Sequence, residues 1–155
     1  MIREATAEDL PALLAIQGAT LAEPWPEFLR ASTDGPPLVL VHDGQRSGDA
    51  TPVGYALVVR ADDTAYVVEL AVAPPAQSEG HGSQLLEVLL NTVARDGVAT
   101  VQLTARADDN RLQSFYGQFG FAVRDRLPDN YEDGDGVLLE AQLTGDHVGS
   151  VSGDG

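Results

Sequence analysis

Glu69-Leu70-Ala71-Val72-Ala73-Pro74, then Gln77-Ser78-Glu79-Gly80-His81-Gly82-Ser83, then Leu85-Leu86, is the stretch whose reading decides the fold. It lies within a longer segment, Tyr66 to Leu90, with the pattern of strand, loop and helix. Tyr66 to Val72 is an apolar, β-branched run. Ser83 to Ala94 carries Leu85, Leu86, Leu89, Leu90 and Val93 at helical spacing and stops at Asp96-Gly97. Between them, Gly80 and Gly82 stand at i and i+2 where the helix begins. Glycines there allow a tight turn and let a phosphate approach bare backbone, while the unpaired N–H groups and positive dipole end of the helix attract the anion. The pattern predicts pyrophosphate binding, against a plain turn capped by Ser83. The dinucleotide fingerprint is excluded, because a third glycine is missing and the strand belongs to a meander rather than a βαβ unit. A Walker loop is excluded by the missing Gly-Lys-Ser/Thr ending.

Working outward, Thr6 caps a predicted helix over residues 7–21, with Glu8 and Asp9 in its first turn and Leu10, Leu13, Leu14 and Ile16 on one face. After the breaker Pro24-Trp25-Pro26, a short second helix is expected through Phe28 and Leu29, ended by Asp34-Gly35-Pro36-Pro37. Leu38 to Val41, Val53 to Val59 and Tyr66 to Val72 read as a meander of three strands. Beyond the long helix come a strand at Val98 to Leu103, a helix from Asn110 to Phe119 stopped by Gly120, and strands at Phe121 to Arg124 and Val137 to Leu143. This mixture predicts an α+β domain over residues 1–143, without internal repeats. Residues 144–155, rich in Gly, Ser and Asp, are expected to form a mobile tail.

The chain has 155 residues, enough for one domain, and an apolar fraction of 43%, enough for a core. Its 24 acidic residues face 9 basic ones for a net charge of −15, and every basic residue is Arg. An acidic, lysine-free surface repels itself at low ionic strength, whereas at molar salt the Debye length shrinks to ~3 Å and the repulsion is screened. A halophile's cytoplasm is the setting expected. Thermal melting temperatures should therefore rise steadily between about 0.1 and 3 M KCl, and a flat series would remove the halophile argument. Scattered arginines on an acidic chain argue against a nucleic-acid partner. Without cysteine there is no disulfide framework, thiolate metal site or cysteine nucleophile. No segment approaches bilayer length and no signal peptide is evident, so no membrane partner is expected. His42, His81 and His147 read as separate loop residues without ligand spacing, and no metal is assigned.

The stretch from Glu69 to Leu86 resembles the GNAT superfamily of acetyl-coenzyme A dependent N-acetyltransferases. Its signature, Arg/Gln-x-x-Gly-x-Gly/Ala after a strand, is matched by Gln77, Gly80 and Gly82. A second motif ending in Tyr-x-x-x-Gly-Phe is matched by Tyr116 to Phe121, and Ile2 to Leu10 looks like the family's first strand and helix. The resemblance spans residues 1–143. It implies a mixed, mostly antiparallel sheet of six to seven strands with about four helices, opening as a V between two central parallel strands. It further implies that main-chain groups of Leu70, Ala71 and Val72 hold the pantetheine arm of acetyl-CoA, and that Gln77, Ser78, Gly80, His81, Gly82 and Ser83 hold its pyrophosphate. Family members often place Asn seven residues before the motif tyrosine; here Asp109 stands there, followed by Asn110, and both are candidate cofactor contacts.

Tyr116 resembles the family's general acid. Amine attack on a thioester expels a thiolate that must be protonated, and a phenol of pKa ~10 keeps its proton at neutral pH until it is needed. The plain alternative is a core tyrosine beside Phe115 and Phe119. An ammonium must also lose a proton before it attacks. In the related ribosomal-protein type of N-terminal acetyltransferase a Glu can stand where this chain has Thr104, which cannot serve, and Glu69 is the substitute candidate base. Its plain alternative is a solvated strand residue. The segment Arg126 to Gly134 resembles the Tyr-rich loop lining the peptide groove in the ribosomal-protein-alanine type, which makes Tyr131 and Glu132 candidate substrate contacts; the alternative is a polar hairpin loop. The resemblance thus implies transfer of acetyl to a primary amine, on a protein N-terminus or a small molecule, by a monomer or homodimer. A non-catalytic acyl-CoA-binding sensor or regulatory module on the same fold is the competing expectation.

Overall fold

The computed structural model describes residues 2–21, 26, 29, 38–43, 52–77, 80–131 and 134–143. They form a single α+β domain whose seven-stranded mixed sheet runs β1-β2-β3-β4-β5-β7-β6. The strands are β1 (Ile2–Glu4), β2 (Leu38–His42), β3 (Gly54–Ala61), β4 (Thr64–Val72), β5 (Thr100–Arg106), β6 (Ala122–Tyr131) and β7 (Gly134–Gln142). Three α-helices occur among the described residues: α1 (Leu10–Thr20), α2 (His81–Arg95) and α3 (Asn110–Gly117). The expected second helix falls largely outside them, as does the tail at 144–155. No described helix is long and apolar enough to cross a membrane.

Two compact units are distinguishable: residues 1–59 with 67–89, and residues 60–66 with 90–155. In the first, β1 pairs antiparallel with β2, and β2 with β3. The sequence pattern for residues 2–21 led with a helix, and the family resemblance supplied the strand before it; Ile2–Glu4 does form that strand. Arg3 fastens it by bridging Asp9 and Asp43, each at 2.8 Å. Leu13, Ile16, Leu29, Val39, Val41, Tyr55, Leu57 and Ala71 build this unit's core. Burial alternates along β4, with Ala65, Val67, Glu69 and Ala71 as the buried set, as a period of two requires.

In the second unit, β4 and β5 pair in parallel over Thr64–Tyr66 against Thr100–Gln102. With α2 between them in sequence they make a βαβ unit, which corrects the reading of Tyr66 to Val72 as part of a meander alone and leaves the missing third glycine as the ground for excluding the dinucleotide fingerprint. Along β5, Val101, Leu103 and Ala105 are buried while Gln102, Thr104 and Arg106 are only half-buried. β7 pairs antiparallel with β5 and with β6. A further sequence expectation needs correction here. Residues 126–131 are strand and not loop: β6 continues to Tyr131, and β7 begins at Gly134. The Asp135 carboxylate secures the long hairpin, accepting from Arg126 at 2.9 Å and from the Asp129 N–H at 3.0 Å. Asp129 takes a left-handed φ of 56° where the register shifts, a conformation Asp tolerates better than most residues.

Candidate active site

In the first unit, Leu70, Ala71 and Val72 close β4, and a 3-10 turn at Pro74–Ala76 leads toward α2. Gln77 does not stand free: its amide donates to the Val72 carbonyl at 2.9 Å, tying the loop to the strand end. Gly80 has φ +87°, and a Cβ built on it meets nothing within 4 Å, so the backbone there is open on a turn that only glycine makes without strain. The Gln84 N–H bonds the Gly80 carbonyl at 3.1 Å. The first-turn N–H groups of α2 therefore belong to His81, Gly82 and Ser83, the residues expected at the pyrophosphate. Ser78 and Glu79 lie outside the described residues.

Glu69 is 8% exposed, which contradicts the solvated-strand alternative. Its carboxylate accepts from Tyr55 Oη at 2.7 Å and from Gln17 Nε2 at 3.0 and 3.1 Å. Burial, then the Glu69 charge and hydrogen bond, pushes the Tyr55 phenol well above its ordinary value, so it remains a donor. Sequence reasoning passed over both partners. Gln17 carried a signal, being a polar residue one helical turn beyond Leu13 on the apolar face of α1.

The histidines also need correction. His42 ends β2 and His81 opens α2, and they meet with ring centroids 4.5 Å apart and His81 Nδ1 3.3 Å from His42 Nε2. Both are buried, and His42 also bonds the Gln84 side chain. Burial is the main cause lowering the His42 pKa; the His81 charge adds to it, and the Gln84 bond and Asp43 oppose it. A histidine depressed in the folded state binds fewer protons there than when unfolded, so its stabilisation is complete above the unfolded pKa of ~6.5 and drains away below it. Urea midpoints should fall as pH drops from about 7.5 to 5.5, and His42→Gln should flatten that slope. An unchanged slope in the variant would assign the dependence to other groups. His147 lies outside the described residues.

In the second unit, Tyr116 sits on α3 and is 6% exposed. Its ring meets Phe115 at 5.2 Å and Phe121 at 5.7 Å, both edge-on. Gly120, at φ +94°, reverses the chain, and the N–H groups of Phe119 and Phe121 return to the Tyr116 carbonyl at 2.9 and 3.3 Å. That reversal is the physical content of the Tyr-x-x-x-Gly-Phe motif: it brings Phe121 against the tyrosine. Burial, followed by electrostatic coupling to Tyr131 and Asp109, pushes the Tyr116 phenol well above its ordinary value.

Asp109 caps α3, its carboxylate accepting the Leu112 N–H at 3.0 Å, and Asn110 is the first helical residue. Thr104 accepts from Tyr66 Oη at 3.2 Å. The Arg106 guanidinium lies 4.9 Å above the Tyr131 ring centroid, a cation–π contact that motif reading did not anticipate. Glu132 is outside the described residues.

The glycine turn opening α2 and the Tyr116-to-Phe121 reversal are the two features by which the sequence resembles an acyl-CoA dependent transferase. Residues 2–121 match the acetyltransferase (GNAT) family, and the chain belongs to it: it is an N-acetyltransferase of that family. The [ribosomal protein bS18]-alanine N-acetyltransferase of Escherichia coli strain K12 is 32% identical over 113 residues, 73% of this chain and 74% of that protein. The crystal structure of the ribosomal-protein-S18-alanine N-acetyltransferase from Escherichia coli matches with a TM-score of 0.82 at 28% identity, over 93% of this chain and 94% of that one. Ard1 from Thermoplasma volcanium shares the fold, with a TM-score of 0.83 at 22% identity over 93% and 97% of the two chains.

Proposed function

We propose that this protein acetylates the α-amine of a protein N-terminus by direct attack on acetyl-CoA, with Glu69 accepting the ammonium proton and Tyr116 donating one to the departing thiolate. The observation carrying this reading is the state of Tyr116, buried and pushed up in pKa, so that its proton is retained across the working pH range. The Glu69 carboxylate, held by Tyr55 and Gln17, complements it as the proton acceptor. The 32% identity to an alanine N-acetyltransferase over most of both chains supports a peptide acceptor. Tyr131 and Glu132 serve that acceptor in this reading, with Arg106 steadying the Tyr131 ring.

Acetyl-CoA is a consumed substrate here, supplying an activated acetyl group. The residues fit it: Gly80 leaves open backbone, and the N–H groups of the first turn of α2 offer donors without any lysine. In this proposal residues 77–83 hold the pyrophosphate, the main chain of residues 70–72 holds the pantetheine arm, and Asp109 and Asn110 flank the cofactor. Gly82→Asp puts a side chain and a negative charge where backbone must meet phosphate. Acetyl-CoA affinity should fall at least tenfold, about 1.4 kcal/mol. Unchanged affinity in a folded variant would place the phosphates elsewhere.

The reading is tested by following CoA release with a panel of short peptides differing in the first residue. Turnover should be measurable, with N-terminal alanine among the accepted residues. Tight acetyl-CoA binding without turnover of any peptide or small amine would instead support an acyl-CoA sensor, the outcome to which Thr104 in place of a base would point. The acidic, lysine-free composition supports a salt-rich cytoplasm as the site of action.

A further inference from the structure

We infer that Tyr55 and Gln17 are positioning residues that fix the Glu69 carboxylate so that Oε2 is the atom receiving the amine proton. This rests on the reading of Glu69 as the base. The three residues come from β3, α1 and β4 and meet inside the first unit, where Tyr55 is 0%, Gln17 1% and Glu69 8% exposed. Leu13, Ile16, Leu57 and Ala71 belong to the same core. A carboxylate in such surroundings is costly unless donors satisfy its oxygens. Both donors found here are uncharged, a phenol and an amide, and among the described residues no cation pairs with Glu69. An arginine partner would have satisfied the oxygens and cancelled the charge. Neutral donors satisfy them and leave the full negative charge for an incoming ammonium.

The bonds are unequally shared. Oε1 accepts from Tyr55 at 2.7 Å and from Gln17 at 3.0 Å, whereas Oε2 accepts only from Gln17, at 3.1 Å. A carboxylate has about four acceptor sites, so the spare capacity lies mainly on Oε2. In the transfer one ammonium N–H bond breaks, an O–H bond forms on Oε2, and the freed nitrogen lone pair is the nucleophile. Tyr55 keeps its bond to Oε1 throughout, and Gln17 retains Oε1 when Oε2 takes the proton. The carboxylate thus passes between its two protonation states without turning.

The test uses acetyl-CoA and a hexapeptide with a free N-terminal alanine, reading kcat/KM from about pH 6 to 9 for Glu69→Gln, Tyr55→Phe, Gln17→Met and the Tyr55→Phe/Glu69→Gln double variant. Tyr55→Phe keeps the ring but removes the stronger donor to Oε1, leaving the base less well placed. Its kcat/KM should therefore fall about tenfold near pH 6.5, where the amine is mostly protonated and needs the base, and by far less at pH 9, where its lone pair is already free. Gln17→Met should show a loss with the same pH dependence, and it carries the test alone if Tyr55→Phe does not fold. The double variant should lose no more than Glu69→Gln, since both act through one carboxylate. A pH-dependent Glu69→Gln defect beside Tyr55→Phe and Gln17→Met losses that are equal at every pH would overturn the positioning role while leaving the base in place. A Glu69→Gln loss equal at every pH would remove the base, and this inference with it.

Discussion

Tyr116→Phe should lower kcat by roughly 10²-fold or more while leaving acetyl-CoA affinity nearly unchanged. The substitution keeps the ring that packs on Phe115 and Phe121, so the fold of the second unit persists. What disappears is the proton that burial holds on the phenol at neutral pH. Loss in kcat without loss of binding marks a group used only as the thioester bond breaks. Equilibrium binding by calorimetry and single-turnover CoA release separate the two quantities. A variant with full turnover would end the general-acid assignment, and one with weakened binding and unchanged kcat would make the residue a cofactor contact.

Glu69→Gln should depress kcat/KM by about 10²-fold near pH 6.5, where a peptide α-amine of pKa ~8 is mostly protonated, and by far less at pH 9. The sign follows from the substrate. Below its pKa the amine needs a group to take its proton, and above it the lone pair is already free. The amide of Gln is close to the carboxylate in size, so it preserves much of the packing around Tyr55 and Gln17 while removing the basic oxygen. A pH–rate profile on a peptide with N-terminal alanine supplies the measurement. A defect of constant size would mean that Glu69 binds or supports structure and takes no proton.

What could be read from the chain alone was what is local. The Gly80-x-Gly82 start of α2, its leucines and the Gly120-Phe121 reversal each involve residues within a few positions of one another, and all appear where their spacing placed them. The contacts that set the chemistry of the side chains are distant in sequence. Gln17 reaches Glu69 across 52 residues and His81 reaches His42 across 39, and no spacing rule connects such pairs. A polar side chain on the inner face of α1 signalled that some buried group needed a donor, but not which one. The far half of β6 escaped for another reason. Most of its residues face water, so it shows no apolar alternation, and Pro128 and Asp129 imitate a loop.

That same strand has a bearing on how molecules of this protein behave beside one another. β6 stands at the rim of the sheet, and its Arg124, Asp125, Arg126, Pro128 and Asp129 put charges, an absent N–H and a left-handed kink along the row where an intruding strand would seek partners. At salt concentrations high enough to silence repulsion between acidic surfaces, charge alone cannot keep copies apart. A shape unfit for pairing does not depend on salt. The irregular rim thus opposes fibre-like stacking at any ionic strength.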